Sequence, residues 1–325
     1  MRRGRWFRQE GGRTTCLLCA HQCSLREGAF GFCGMRRGTA EGIELPAWGR
    51  LTAGALDPIE KKPLYHFYPG SPVWSIGFAG CSMDCPYCQN AHIARATATD
   101  GKETDPAAVV RRAMDLGVRL LAFTYSEPSI HAEYLIETAE ESHRNGLHTV
   151  LVSNGMVNPE PAEELVQQID GINIDLKSWN PDYYRRTLRG NLETVKRFIQ
   201  IAHEHTWIEL TTLVVPGDND SNDEMRGLCS WVAGLSPDIP LHLSAYYPSH
   251  KYTRPPTEAA VLTALAETAR EYLNFVYLGN LGGSNHTRCP GCHRDVIRRL
   301  GYSTECLATD GRCPGCGEKI AGVFR

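Results

Sequence analysis

VWSIGFAGCSMDCPYCQN, residues 73–90, joins a short apolar, β-rich run to three cysteines, Cys81, Cys85 and Cys88, in C-x3-C-x2-C spacing. The run marks where a sheet begins. The loop after it carries three thiols, one short of the four that close a structural zinc site or occupy every iron of an electron-transfer 4Fe-4S cluster. With three thiolates, one iron of a cluster keeps a free position that a reactant can take. The competing reading is a zinc site that borrows a fourth ligand from elsewhere in the chain.

Working outward, short β-rich runs alternate with helix-patterned stretches from residue 73 to about 280, in units of about 30 residues, the pattern of parallel strands with crossover helices. The strand candidates are 73–80, 119–125, 148–154, 172–177, 208–215 and 241–247, with 275–280 as a seventh. Most are continuous apolar runs, as strands covered on both faces should be. Helices are expected over 105–117, 128–146 and 192–205; Asp105 with Pro106 suits a helix start, and Gly117 and Gly146 suit helix ends. An α/β fold follows, either a partial barrel or an open doubly wound sheet, and in both the chemistry sits at the carboxyl ends of the strands. The unusual polar residues fall there: Cys81 onward, then Ser126 and Glu127, then Ser153, Asn154 and Gly155, then Asp175 and Lys177.

The chain has 325 residues, which suggests roughly two domains. No apolar run approaches the ~20 residues of a membrane span, and the basic opening MRRGRWFRQE is not followed by an apolar signal core, so a cytoplasmic protein is expected. Net charge is −3, which recruits no nucleic acid; Arg2, Arg3, Arg5, Arg8 and Arg13 read as a solvated tail. The 13 cysteines are clustered at short spacings in a large chain, which favours metal over a disulfide framework. Cys229 stands apart on a probable helix and reads as inert core.

Residues 1–70 and 281–325 leave the alternation and read as small appended modules flanking a central unit at 71–280. Cys16, Cys19, Cys23 and Cys33 form a metal set at the first end, either zinc or an auxiliary iron-sulfur cluster, with His21 as a substitute ligand. At the other end CPGC occurs at 289–292 and again at 313–316, so Cys289, Cys292, Cys313 and Cys316 have zinc-ribbon spacing, with Cys306 left over. DPIEKKPLYHFYPG (57–70) precedes the first strand and is expected either to be an exposed linker or to cover the barrel mouth with Lys61, Lys62 or His66.

The three-cysteine loop, with Tyr87 before its third cysteine and the CQN continuation, resembles the radical SAM superfamily. The segments CLLCAHQCSLREGAFGFC, DPIEKKPLYHFYPG, FTYSEP, INIDLKSWNPDYYRR, AYYPSHKY and the CPGC pair together resemble its AmmeMemoRadiSam branch. The resemblance implies a partial (β/α)6 TIM-like barrel between the Cys-rich N-terminal module and the zinc-ribbon-like module. It also implies a 4Fe-4S cluster on Cys81, Cys85 and Cys88 that binds S-adenosylmethionine and splits it, with one electron, into methionine and a 5′-deoxyadenosyl radical. By the same resemblance Tyr87, Ser126, Glu127, Ser153, Asn154, Asp175, Lys177 and His242 reach the cofactor: Glu127 its ammonium, Lys177 its carboxylate, His242 its ribose. An oxidoreductase drawing electrons from a flavodoxin or ferredoxin is implied, with the other AmmeMemoRadiSam proteins as candidate partners and the substrate unidentified. The alternatives are an activase that installs a glycyl radical on a partner enzyme, and a non-catalytic iron-sulfur and zinc scaffold.

Overall fold

The seven apolar runs are parallel strands of one sheet: β1 (Pro72–Phe78), β2 (Leu120–Thr124), β3 (His148–Ser153), β4 (Gly171–Asp175), β5 (Trp207–Val214), β6 (Leu241–Ala245) and β7 (Val276–Gly279). The structure, a computed structural model, describes residues 2–324. Between the strands run α1 (Pro106–Asp115), α2 (Ala132–Arg144), α3 (Pro159–Val166), α4 (Leu192–His205), α5 (Asn222–Leu235) and α6 (Ala259–Arg270). The strands lie in sequence order from β7 to β1, and each pairs in parallel with its neighbours. Beyond β1 the strand Arg50–Pro58 adds antiparallel, followed at the edge by Lys102–Glu103. This is the partial barrel; the 50–58 strand belongs to its sheet although the sequence groups it with the N-terminal module.

Local chemistry explains where the helices begin. Asp105 accepts from the Ala108 amide at 2.9 Å with Pro106 in the first turn, and Asn191 and Ser221 cap α4 and α5 in the same way. The helix expected over 128–146 opens instead as a 3-10 turn, Pro128–His131, capped by Glu127, before α2 begins. β1 ends at Phe78, two residues before the expected end.

Each strand is buried on both faces, which is why its run is apolar throughout. One face packs on the helices: Phe78 meets Tyr134 of α2, and Ile76, Leu121, Phe123, Leu151, Ile172 and Ile174 join that core. On the opposite face Val73, Leu120, Ala122 and Val150 form a separate cluster with Ile59, Leu64 and Phe67. These strand residues lie toward the amino ends, so the 57–70 segment closes the bottom of the barrel and not its mouth. The reason is apolar content: Ile59, Leu64 and Phe67 have no exposed surface, which a solvated linker or an open lid would not provide. Glu209 of β5 holds the plug by its backbone, accepting from His66 N at 2.7 Å and Tyr65 N at 2.9 Å. Lys62 is buried with Asp57 at 2.7 Å, and Tyr125 donates its hydroxyl to the same carboxylate at 2.9 Å.

The C-terminal module, a three-stranded antiparallel sheet (Thr287–Arg288, Asp295–Leu300, Ser303–Cys306), docks against this same end. Its Arg299 is buried over the Tyr65 ring, 4.3 Å from the centroid, and donates to Thr287 Oγ1 at 2.8 Å. His66 bonds Ala321 O through Nδ1 at 2.6 Å and Tyr277 Oη through Nε2 at 2.5 Å. Among the described residues no helix is long and apolar enough to cross a membrane.

Burial pushes two histidines, His66 and His131, from the ordinary 6.5 down to about 4, so both rings are neutral in the folded chain at pH 7. Unfolded, they take up protons near 6.5. The stability they contribute is therefore complete above that pH and is lost as the pH falls toward 4, with a slope of up to about 1.4 kcal/mol per pH unit for each ring. The urea midpoint should fall over that interval; a flat profile would contradict two buried neutral rings.

Candidate active site at the carboxyl ends of the strands

The chain leaves β1 through Gly80, at φ +85°, and enters the cysteine loop. A Cβ here would stand 2.7 Å from the Cys33 carbonyl oxygen and 2.5 Å from Met35 Cγ, so only glycine lets the N-terminal module come this close. The loop is clamped from four directions. Asp84 N donates to Leu188 O at 2.9 Å, Lys251 N to Pro86 O at 2.8 Å, and Ser249 Oγ to Cys88 O at 3.3 Å. His21 Nε2 meets Ser82 O at 2.8 Å. Asn90, closing the quoted stretch, donates to Tyr125 O at 2.5 Å and ties the loop to the end of β2.

All 13 cysteines are free thiols. Burial holds the Cys81 thiol well above its ordinary range and raises Cys85 to about 11, the nearby Lys177 ammonium working against the second rise. A bound cation would reverse that balance and fix the thiolates. Asn154 Nδ2 donates to Cys81 Sγ at 3.6 Å, and Met83 N to the same sulfur at 3.3 Å. Such N–H···S bonds stabilise a metal-bound thiolate and tune its potential. Among the described residues, Cys289, Cys292, Cys313 and Cys316 are the group whose ligand atoms all lie within 4.8 Å of one another; Cys81, Cys85 and Cys88 do not close to that spacing. A single zinc with Zn–S bonds of ~2.3 Å holds its sulfurs roughly 3.8 Å apart.

Around the loop the strand ends converge. Glu127 is buried and accepts from Ser153 Oγ at 2.8 Å, Ser129 N at 3.1 Å and Asn154 N at 2.7 Å. Burial raises its pKa, and hydrogen bonds from the Ser129 side chain, the Asn154 amide, the Ser153 hydroxyl and the Ser129 amide oppose the rise. Gly155, at φ +70°, turns the chain so that Asn154 faces Cys81; a Cβ there would crowd Ile174 at 3.1 Å. Lys177 pairs with Asp175 at 2.8 Å, and although burial works against its charge, the Asp175 carboxylate keeps it an ammonium. Its backbone is fixed by Tyr184, whose hydroxyl accepts from Lys177 N at 2.9 Å, and by Asn219 Nδ2 on Lys177 O at 2.6 Å.

Of the residues expected to reach the cofactor, Glu127, Ser153, Asn154, Asp175 and Lys177 thus gather about the cysteine loop. Ser126 lies beside them with its hydroxyl already donated to Phe78 O at 2.5 Å. The buried Tyr87 ring packs 5.8 Å from Tyr252 and 6.4 Å from Tyr246. His242 is not brought to this site. It is the second residue of β6, and its Nε2 bonds Glu209 Oε2 at 2.7 Å in the polar layer above the barrel plug, edge-on to Tyr65. The clamping residues His21, Asn90, Ser249 and Lys251 were not singled out from sequence as partners of the loop, and nothing in their spacing marks them.

Residues 75–229 match the family described as the Radical SAM superfamily. An uncharacterised protein of Methanocaldococcus jannaschii is 33% identical over 322 residues, 96% of each chain. A protein of Methanococcus vannielii named probable GTP 3′,8-cyclase is 23% identical over 252 residues, 71% of this chain and 82% of its own. A second M. jannaschii protein, provisionally named a glycyl-radical enzyme activating enzyme, is 24% identical over 233 residues, 67% of this chain and 92% of its own.

Proposed function

Because the chain belongs to the radical SAM superfamily, we propose that it is an enzyme that cleaves S-adenosylmethionine at a 4Fe-4S cluster held by Cys81, Cys85 and Cys88 and takes a hydrogen atom from a substrate. The observation that carries this reading is the clamped trio of thiols facing the charged ends of β2, β3 and β4. When bound, the cluster and its ligand supply the electron and the carbon radical. The chain's own residues bind, orient and exclude water. Lys177 offers the cation for the methionine carboxylate, Asp175 fixes that ammonium, and the Glu127 carboxylate, close to Cys81, offers negative charge to the methionine ammonium. Ser153 and Asn154 hold Glu127 and Cys81 in register.

Anaerobic reconstitution with iron and sulfide, followed by S-adenosylmethionine and dithionite, should release 5′-deoxyadenosine and methionine. A fully cluster-loaded protein that releases neither would end the proposal. The reductant in the cell is of flavodoxin or ferredoxin class, and an oxygen-sensitive cluster beside unpaired thiols favours the cytoplasm.

The two named relatives differ in reaction at nearly equal identity, so their likeness bears on the shared core alone. The activase reading rests on the second of them, and glycyl-radical EPR on a co-expressed partner separates it from a small-molecule reaction. A scaffold without catalysis would release no deoxyadenosine. The other members of the AmmeMemoRadiSam set are the first proteins to test as partners.

For the C-terminal quartet we propose zinc. Cys289 and Cys316 sulfurs lie 3.5 Å apart and those of Cys292 and Cys313 3.6 Å, close to the tetrahedral spacing. Cys292→Ser should lose one equivalent of zinc by elemental analysis and lower the melting temperature, while protein that still carries the zinc would remove the assignment.

A further inference from the structure

We propose that Lys62 is a Schiff-base nucleophile and that its substrate is a small aldehyde or ketone, held as an iminium at the base of the barrel interior; its part in turnover rests on the function proposed above. The turn Ile59–Lys61 folds the chain back, with Lys62 N donating to Ile59 O at 2.8 Å, so that Lys62 returns to Asp57. Lys62 is 2% exposed, and its ammonium lies 2.7 Å from Asp57 Oδ2. Tyr125 Oη donates to that same oxygen at 2.9 Å, and the ammonium stands 4.7 Å from the centroid of the Tyr125 ring. Amine, carboxylate and phenol thus converge, the set a carbonyl condensation needs: a nucleophile, a proton acceptor and a proton donor.

The register of the sheet puts this set inside the barrel. Asp57 pairs with Val73 and Val73 with Leu120, and the last two belong to the cluster that Ile59, Leu64 and Phe67 complete. Paired residues point to the same face, so the Asp57 carboxylate stands on the inner wall at the level of the plug. Toward the mouth the next row is Ala55, Ser75 and Ala122, and the one after it Ala53, Gly77 and Thr124. The four residues from Val73 to Gly77 span about 13 Å. Tyr125 crosses that distance: its ring lies on Gly77, where a Cβ would meet Cδ2 at 2.6 Å, and its hydroxyl ends on Asp57. By alternation from Thr124, residue 125 would face the helices; a φ of +76°, costly for a tyrosine, accompanies its place on the inner wall. Its carbonyl accepts from Asn90 of the cysteine loop at 2.5 Å. Small side chains in the two intervening rows suit a bound molecule between the amine and that loop.

The proton and electron movements balance within this set. Burial lowers the Lys62 pKa against the opposing pull of Asp57, which favours release of a proton and exposure of the nitrogen lone pair. Asp57 takes that proton; the exposed Lys61, 3.0 Å from its other oxygen, steadies the carboxylate while Lys62 changes charge. Burial and Asp57 push Tyr125 up to about 12, so its hydroxyl keeps a proton to donate. The lone pair forms a bond to the carbonyl carbon as the π electrons move to oxygen. Tyr125 protonates that oxygen and regains a proton from Asp57; a second proton comes from the nitrogen, and the oxygen leaves as water. Of the ammonium's hydrogens one remains, on the iminium, whose positive charge keeps the pairing with Asp57. Nothing is oxidised or reduced. Attachment at the base would hold the carbon beside the iminium toward the cysteine loop, where the proposed reaction removes hydrogen.

The test is reductive trapping on the full chain reconstituted anaerobically. Acetaldehyde, dihydroxyacetone and 2-oxobutyrate, each with cyanoborohydride near neutral pH, should modify Lys62 ahead of the exposed Lys102, Lys251 and Lys319, as read by peptide mass spectrometry. Lys62→Arg, which keeps a positive charge beside Asp57, should lose the adduct. Tyr125→Phe should form it at the same residue about a hundredfold more slowly, the size of a lost proton donor; an unchanged rate would remove the phenol from the step. Lys62 left unmodified by all three compounds, or modified no faster than the exposed lysines, would overturn the proposal, and the parent chain alone gives that result whether or not the variants fold. Trapping requires neither an electron nor S-adenosylmethionine. A chain that releases deoxyadenosine but forms no adduct keeps the proposed function and loses the nucleophile; an adduct without deoxyadenosine does the reverse.

Discussion

Cys85→Ala should fold like the parent chain and release no detectable 5′-deoxyadenosine, a loss of at least about a thousandfold, on the scale seen when a catalytic group is removed. Cys85 sits in the loop after β1, outside the strands and helices, and the substitution removes a single sulfur atom. The backbone bonds that clamp the loop, from Asp84 to Leu188 and from Lys251 to Pro86, do not involve its sulfur. With two thiolates left, the cluster has no stable seat. The measurement is product release by chromatography beside circular dichroism and iron content. Turnover at the parental rate would exclude the cluster assignment, and loss of iron with retained fold would support it.

Glu133→Ala should destabilise the chain by about 3–5 kcal/mol, the cost of leaving a buried charge without its partner. Arg36 donates to both carboxylate oxygens of Glu133 at 2.8 Å, and the two side chains are 2% and 5% exposed. The pair joins the N-terminal module to α2. Arg5 N adds a third bond to Glu133 at 2.7 Å, and Arg36 returns one to Arg5 O at 2.9 Å. A fall in melting temperature on the order of 10 °C is expected. The double change Arg36→Met with Glu133→Leu should recover most of it, since an apolar pair removes both charges together. A single variant within 1 kcal/mol of the parent, a threshold of roughly the size of an exposed ion pair, would mean that water reaches this contact.

The barrel strands were legible because covered parallel strands leave continuous apolar runs, and the clustered thiols were legible because ligand spacing is a local property. Depth within the barrel was harder to read. Alternation tells which face of β6 carries His242, but its place as the second residue of that strand puts it near the amino end, beside Glu209 and away from the cysteine loop. Counting from the strand's start would have corrected that assignment. The partners of the loop were not readable in the same way: His21, Ser249 and Lys251 are brought to it by tertiary contacts across long stretches of chain. The direction taken by segment 57–70 was also hidden, because Ile59, Leu64 and Phe67 are equally suited to cover either opening. What decides is the ring of small and apolar strand starts, Val73, Leu120 and Val150 with Gly171 under Phe67, that receives them.

That filling turns the barrel from a tube into a cup. Under the proposed function, the buried Ile59, Leu64 and Phe67 stand between a reactive carbon species made at the rim and the amino ends of the strands, which leaves selectivity to the opposite opening. On that proposal the substrate would lower its reacting carbon over the same lip by which the sulfonium donor enters.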